Sequence, residues 1–332
     1  MKKFFFLLAC VAMSILSFGQ GNQLVWANGR LLYGTPIESM DSLTYDLTED
    51  VDTLHLLLPR TLIKVVHDTV YIHDTVYIET DCGGDENTPT QGIGVFSVSS
   101  TKQVTFSKGN LQYTQSTNTW SFAENQYDCL GEANIAIDAD VLADKVDLFG
   151  WSTGATNFGV STSISDSDYS GSFVDWGINK IGNDAPNTWR TLSNDEWYYL
   201  RYTRTNADAL CGVAQVNGVN GLILLPDNWT CPSGVTFKSG FHSSYGVDYY
   251  AAYQTFTAEQ WSKLESAGAV FLPAAGYRSG SNVYYVRCRG YYWFATEYNS
   301  DRAYCLDFYS GGAYMYSYDR NIGLSVRLVK DL

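Results

Sequence analysis

Positive charge is scarce in this chain. Across 332 residues, 21 Lys and Arg face 35 Asp and Glu, for a formal net charge of −14. A polyanion would be repelled, which excludes a nucleic-acid partner. Histidine is scarcer still, with four in all. His242 is the only one after residue 93, and it sits among Phe241, Ser243 and Tyr245, where it reads as a surface or packing residue. Without a second His or a nucleophile-elbow pattern, triad hydrolysis has nothing to stand on. No carboxylates are paired in sequence for acid/base work. No later apolar run is long enough to span a bilayer. The cysteines match no zinc-ligand spacing. The reading that follows is a chain that is not an enzyme, with no cofactor and no metal.

What is present is aromatic. Hydrophobic residues make up 45% and aromatic residues 15%, with 25 Tyr and 9 Trp. A sizeable core can be buried, and this many amphipathic rings suit a soluble β-rich body with an adhesive face.

Residues 1–19 read as an export signal. Lys2 and Lys3 precede an apolar run from Phe4 to Phe18, and the small residues Ser17 and Gly19 suit cleavage before Gln20. The location expected is the cell surface, outer membrane or periplasm. Cys10 after Leu7-Leu8-Ala9 loosely resembles a lipoprotein box, so membrane anchoring through the N-terminus is the alternative. After loss of Cys10, Cys82, Cys129, Cys211, Cys231, Cys288 and Cys305 remain. Outside the cytosol disulfides are permitted. Cys211 and Cys231 bracket one compact stretch and are the candidate pair.

Residues 20–50 form a hairpin segment in this reading. Gln23–Ala27 and Arg30–Tyr33 flank Asn28-Gly29, a tight-turn dipeptide. Residues 51–92 read as a stalk or linker with a repeat, His67-Asp68-Thr69-Val70-Tyr71-Ile72 followed by His73-Asp74-Thr75-Val76-Tyr77-Ile78. An even repeat keeps the same residues on the same strand face. His67 and His73 offer a two-ligand metal site, but two His without a third ligand favour a stalk or self-pairing strand.

From residue 93 to 332 the texture is that of a loop-rich α+β domain. Short strand-like runs alternate with Gly, Ser, Asn and Asp loops. Two short helices are predicted from capping boxes, Ser193 with Glu196 and Thr257 with Gln260, the second ended by Gly268. Near the C-terminus, Leu306 and Phe308 alternate with Cys305, Asp307 and Tyr309, which predicts a half-buried strand. Tyr314, Tyr316 and Tyr318 alternate after the Ser310-Gly311-Gly312 turn, and Met315 is expected to face inward.

The order Phe149-Gly150-Trp151, Trp189-Arg190-Thr191-Leu192, Glu196-Trp197, Leu224-Leu225-Pro226-Asp227-Asn228-Trp229, Leu272 to Arg278, Tyr292-Trp293 and Ser325 to Val329 resembles a large family of exported bacterial proteins. These have the C-type lectin-like fold in the variant shared with formylglycine-generating enzymes. The hairpin segment also looks like the lead of surface lipoproteins from Gram-negative gut bacteria. Within the family, the C-terminus resembles the variable protein of a diversity-generating retroelement, which randomises adenines of a template. Asparagine codons so treated yield Tyr, Asp, Ser, Cys, Arg and Ile but never Lys, Gln, Glu, Met or Trp. The stretch Phe271 to Val329 has no Lys and no Gln, and its Glu297, Met315 and Trp293 sit where the family pattern is fixed.

The resemblance implies a variable region of about 278–329. Its varying positions would be Tyr284, Tyr285, Arg287, Cys288, Arg289, Tyr298, Ser300, Asp301, Arg302, Cys305, Asp307, Tyr309, Tyr314, Tyr316, Ser317, Tyr318, Asp319, Asn321 and Ile322. The mixture of Tyr, Arg, Ser and Asn suits adaptable recognition. The expected partner is a protein or another cell-surface ligand, with the oligomeric state open.

Two alternatives stand beside that display reading. One is a static adhesin of the same fold. The other is a formylglycine-generating oxidase built on Cys288 and Cys305, whose local context does not match that motif. Two acidic loops raise calcium. Asp227-Asn228-Trp229 has no companion tripeptide, and Asp166 to Gly171 meets Gly177 where a bidentate Glu is needed. Both read as structural loops.

Overall fold

The computed structural model describes residues 94–134, 144–152 and 163–332, together with the backbone of six strands within residues 22–74. The chain divides into two compact units, Met1–Glu86 and Asn87–Leu332. The export signal, Cys10, His67, the second copy of the repeat beyond Asp74 and the linker lie outside the described residues.

In the first unit, β1 (Asn22–Ala27) pairs antiparallel with β2 (Arg30–Pro36), with Ala27 opposite Arg30. Both arms of the expected hairpin are therefore strands. β3 (Leu43–Thr44), β4 (Leu54–Leu58), β5 (Thr61–Val66) and β6 (Thr69–Asp74) form a sheet in the order β3-β6-β5-β4. β6 carries Thr69–Ile72 of the first copy of the repeat and His73-Asp74 of the second, and it pairs antiparallel with β5 on one side and β3 on the other. His73 stands opposite Leu62.

The second unit is mixed α+β, mostly short strands. β7 (Phe96–Ser97) and β8 (Gln103–Phe106) make one ladder. β9 (Leu111–Thr114), β10 (Thr119–Phe122) and β11 (Lys145–Val146) make a second, with β9 central. β12 (Cys211–Val216), β13 (Val219–Leu224), β14 (Thr255–Phe256) and β15 (Val270–Pro273) form a sheet in the order β14-β12-β13-β15. β16 (Tyr277–Ser279) and β17 (Asn282–Tyr284) are a hairpin. β18 (Arg289–Glu297), β19 (Arg302–Tyr309) and β20 (Gly312–Asp319) are an antiparallel sheet in chain order. β21 (Val329–Asp331) returns to pair with β8.

Three α-helices lie among the described residues of this unit. α1 (Asn194–Tyr198) opens on the predicted capping box, with Ser193 Oγ accepting from Glu196 N and Glu196 Oε2 accepting from Ser193 N. It runs on into one π-helical turn, Tyr199–Thr203. α2 (Asp248–Tyr253) has no side-chain cap, so no local start signal marks it. α3 (Ala258–Ser266) has the second predicted box, and Gly268 follows with φ +91°.

Trp151, Trp176, Trp197, Trp261 and Trp293 are fully buried, so most Trp serves the core. The β18-β19-β20 sheet lies between two hydrophobic clusters. One takes Tyr292, Phe294, Leu306, Phe308 and Ala313, and the other takes Tyr291, Trp293, Ala303 and Cys305. Trp293 Nε1 donates to Phe149 O at 2.7 Å, and Trp151 Nε1 donates to Phe294 O at 2.8 Å. These bonds lock the Phe149-Gly150-Trp151 segment across the middle of β18. Each satisfies a donor that burial would otherwise leave costly.

Candidate ligand-binding face

The face begins with strand pairing. Arg289 stands opposite Tyr309, and Tyr291 stands opposite Asp307. On the other side of β19, Asp307 stands opposite Tyr314 and Cys305 opposite Tyr316. Side chains alternate across a sheet, so Arg289, Tyr291, Asp307, Tyr309, Tyr314 and Tyr316 share the side away from Leu306 and Phe308.

At its centre is an ion pair. Arg289 Nε donates to Asp307 Oδ1 at 3.1 Å, and Nη2 donates to Oδ2 at 2.7 Å. Burial lifts the Asp307 carboxyl above its ordinary value, although Arg289 pulls it down. Burial opposes the charge on Arg289, but Asp307 outweighs it and holds the guanidinium above its ordinary value. The guanidinium carbon lies 5.3 Å from the Tyr309 ring centroid and 5.6 Å from that of Tyr291, within reach of cation–π attraction.

Tyrosines continue outward from the pair. Tyr309 meets Tyr245 edge-on at 5.3 Å and stacks with Tyr314 at 6.0 Å. Tyr277 contacts the rings of Tyr284, Tyr285, Tyr291 and Tyr318. Tyr316 lies 5.5 Å from Tyr318. The outer rings of Tyr245, Tyr284, Tyr285, Tyr314 and Tyr316 are about half in solvent, at 45–54% exposure. Cys288 Sγ lies within hydrogen-bond distance of Tyr245 Oη, at 3.2 Å.

The predicted set divides along this geometry. Tyr284, Tyr285, Arg287, Tyr314 and Tyr316 are exposed, and Cys288, Arg289, Tyr309 and Tyr318 are half-buried beside them. Tyr298, Ser300 and Asp301 are exposed at the β18–β19 connection, where Tyr298 meets Tyr304 at 5.3 Å. Arg302 pairs with Asp319 at 3.2 Å. Asn321 Nδ2 donates to Asp166 Oδ1 and to Ile164 O, tying down a neighbouring loop. Ile322 packs against the second cluster.

Three expectations need correction. Cys305 does not face outward but is fully buried, because the second cluster covers the side of β19 that alternation had assigned to solvent. Burial pushes its thiol well above the ordinary value. Asp307 and Ser317 are also buried, the first in its ion pair and the second on the inward-facing side of β20 shared with Met315. Met315 is half-buried against the first cluster, as expected. Cys211 and Cys231 are separate free thiols. Cys211 is buried on β12, whereas Cys231 is exposed and donates to Val235 O.

Tyr245, Tyr277 and Tyr291 belong to the face but were not among the predicted residues. Tyr245 comes from a Ser/Gly loop with no periodicity to flag it. Tyr277 lies within the Leu272–Arg278 stretch that carries the family resemblance, and Tyr291 directly precedes Tyr292-Trp293.

The other singled-out groups have structural partners. Asp227 accepts from Ser97 N at 2.8 Å and pairs with Arg204 at 3.1 Å. His242 Nδ1 accepts from Ser244 N, and its ring stacks on Tyr249 at 4.6 Å. Among the described residues no three metal-ligating side chains converge, and no helix is long and apolar enough to cross a membrane. A cleft of about 520 Å³ beside α1 is lined by Lys102, Arg190, Glu196 and Tyr199 among others. Its Arg190 is already engaged by Glu196 and Asp331.

Residues 252–329 match a family described as a domain of unknown function (DUF8237). The match runs from the end of α2 to the first residue of β21 and includes all of the face but Tyr245. No curated protein and no solved structure matches the chain.

Proposed function

We propose that this is an exported display protein whose second unit binds a protein or another surface molecule through the tyrosine face. In this reading the unit has the C-type lectin-like fold, and retroelement diversification acts on the exposed positions. The observation that carries it is the exposed tyrosine belt around the Arg289–Asp307 pair, set on a sheet whose reverse side is core. Tyr supplies large contact area at low rotamer cost, and Tyr and Arg recur at binding hot spots. An oxidase built on Cys288 and Cys305 draws no support from their surroundings. Cys305 is sealed in the core with its thiol held protonated, whereas a redox thiol works as an accessible thiolate.

Sequencing the DNA that flanks the coding region tests the diversification. The expected result is a near-copy of the 3′ end beside a reverse-transcriptase gene. Its mismatches should fall at adenines in codons for exposed residues such as Tyr284, Tyr285, Tyr314 and Tyr316. Absence of the copy would refute diversification and leave a static adhesin of the same surface.

A further inference from the structure

Of the nine arginines in the second unit, eight are tied down. Arg190, Arg201, Arg204, Arg289, Arg302 and Arg320 each meet a carboxylate at 2.6–3.2 Å. Arg278 and Arg327 are buried and donate to backbone carbonyls. Arg287 alone is exposed, and it makes no ion pair among the described residues. Asp248, whose neighbour Val247 shares the Asn220 amide with Arg287, does not pair with it.

The backbone beneath Arg287 is held in an unusual conformation. Tyr285 and Arg287 have φ of +57° and +66°, a region that costs a residue with a Cβ about 1–2 kcal/mol. Such a conformation persists only where its surroundings fix it, and here they do. Arg287 N–H donates to Ala274 O at 2.8 Å, and its carbonyl accepts from the buried Asn220 Nδ2 at 2.8 Å. Tyr285 O accepts from Cys288 N and Arg289 N. Val286, between the two strained residues, packs on the 3-10 turn Gly131–Asn134, where a Cβ on Gly131 would come within 3.0 Å of it. The turn therefore presents Arg287, a cation without an ion-pair partner among the described residues, beside the exposed rings of Tyr284 and Tyr285.

We infer that Arg287 sets the specificity of the tyrosine face, and that the partner is a protein segment presenting an Asp or Glu carboxylate to it between apolar side chains that lie on the rings. This rests on the reading of the face as a binding surface. Any partner that covers Arg287 strips water from its charge, and without an acceptor that cost is large. A carboxylate meets the guanidinium in two parallel hydrogen bonds and repays it. The fixed backbone means little is spent on ordering the turn. The chain's net charge of −14 disfavours acidic partners at long range, so the discrimination is local.

The test is selection of a phage-displayed library of random peptides on the full chain and on three variants. Arg287→Glu reverses the charge. Arg287→Gly removes the charge while suiting the left-handed backbone, which guards against a folding artefact. The third variant is Tyr314→Ala with Tyr316→Ala. The wild-type chain should enrich acidic peptides. Their binding should fall at least about tenfold in both Arg287 variants, and Arg287→Glu should select basic peptides instead. Enriched peptides without acidic bias, or equal binding by the Arg287 variants, would overturn the inference. The binding-face reading would then still stand if the tyrosine double variant abolished capture. No enrichment on the wild type, or enrichment untouched by the tyrosine double variant, would overturn both.

Discussion

Cys305 and Tyr316 stand directly opposite each other on β19 and β20, yet one is fully buried and the other 54% exposed. The same substitution at both positions measures how sharply the face ends. Cys305→Asp places a carboxylate against Trp293 and the second cluster with no cation built to receive it. Breaking a buried pair leaves an uncompensated charge at about 3–5 kcal/mol, and a carboxylate introduced without a partner belongs to that class. Tyr316→Asp changes a half-solvated surface, where substitutions usually stay within about 0.5 kcal/mol. For a unit of this size each kcal/mol moves the midpoint by roughly 2–4 °C. Thermal unfolding followed by tryptophan fluorescence should therefore drop by about 6–20 °C for Cys305→Asp and by no more than about 2 °C for Tyr316→Asp. Equal, small shifts would refute the burial of Cys305 and restore it to the variable face. Equal, large shifts would refute the solvent-facing placement of Tyr316.

Three further outcomes follow from the same contacts. Asp307→Ala strands the half-buried Arg289 and should cost about 1–3 kcal/mol in urea denaturation, whereas Asp301→Ala, exposed at the strand connection, should cost under about 0.5 kcal/mol. Burial raises the Asp147 carboxyl to about 6 against hydrogen bonds from Leu130 N and Asn134 Nδ2. Because the folded value is the higher one, its contribution is complete below 3.8 and lost as the pH rises through about 6. Stability should therefore gain on the order of 1 kcal/mol from this group between pH 7 and pH 5.5, and Asp147→Asn should flatten that part of the profile. Alkylation of the native protein, read by peptide mass spectrometry, should label Cys231 readily and Cys211 and Cys305 only after unfolding. A Cys211–Cys231 cross-linked peptide would contradict the free thiols.

How much of this could be read from the sequence varies by element. The helix starts at Ser193 and Thr257 were legible because a capping box is a local pattern that needs only four residues. The first hairpin arms were legible for the same reason. β19 departs from its sequence pattern in one respect. Period-two alternation says which residues oppose one another, not whether both sides are covered, and the packing of Trp293, Leu324 and Val326 against Cys305 is set by residues distant in the chain. Arg289 and Asp307 both appeared among the expected face residues, but their pairing depends on a strand offset of 18 positions that no local signal encodes. Tyr245 enters from a loop and could be found only in three dimensions.

The left-handed backbone at Tyr285 and Arg287 acts as a filter on replacement at those two sites. Gly, Asn and Asp sit there at little cost, whereas Val and Ile, with branched Cβ atoms, are strongly penalised. Any process that changes these codons meets that filter before a ligand is ever encountered. The repertoire the turn can display is thus narrower than the repertoire its codons can spell, and it leans toward short polar residues that would lower the strain. Tyr and Arg hold these positions at a conformational cost that their neighbours' hydrogen bonds absorb.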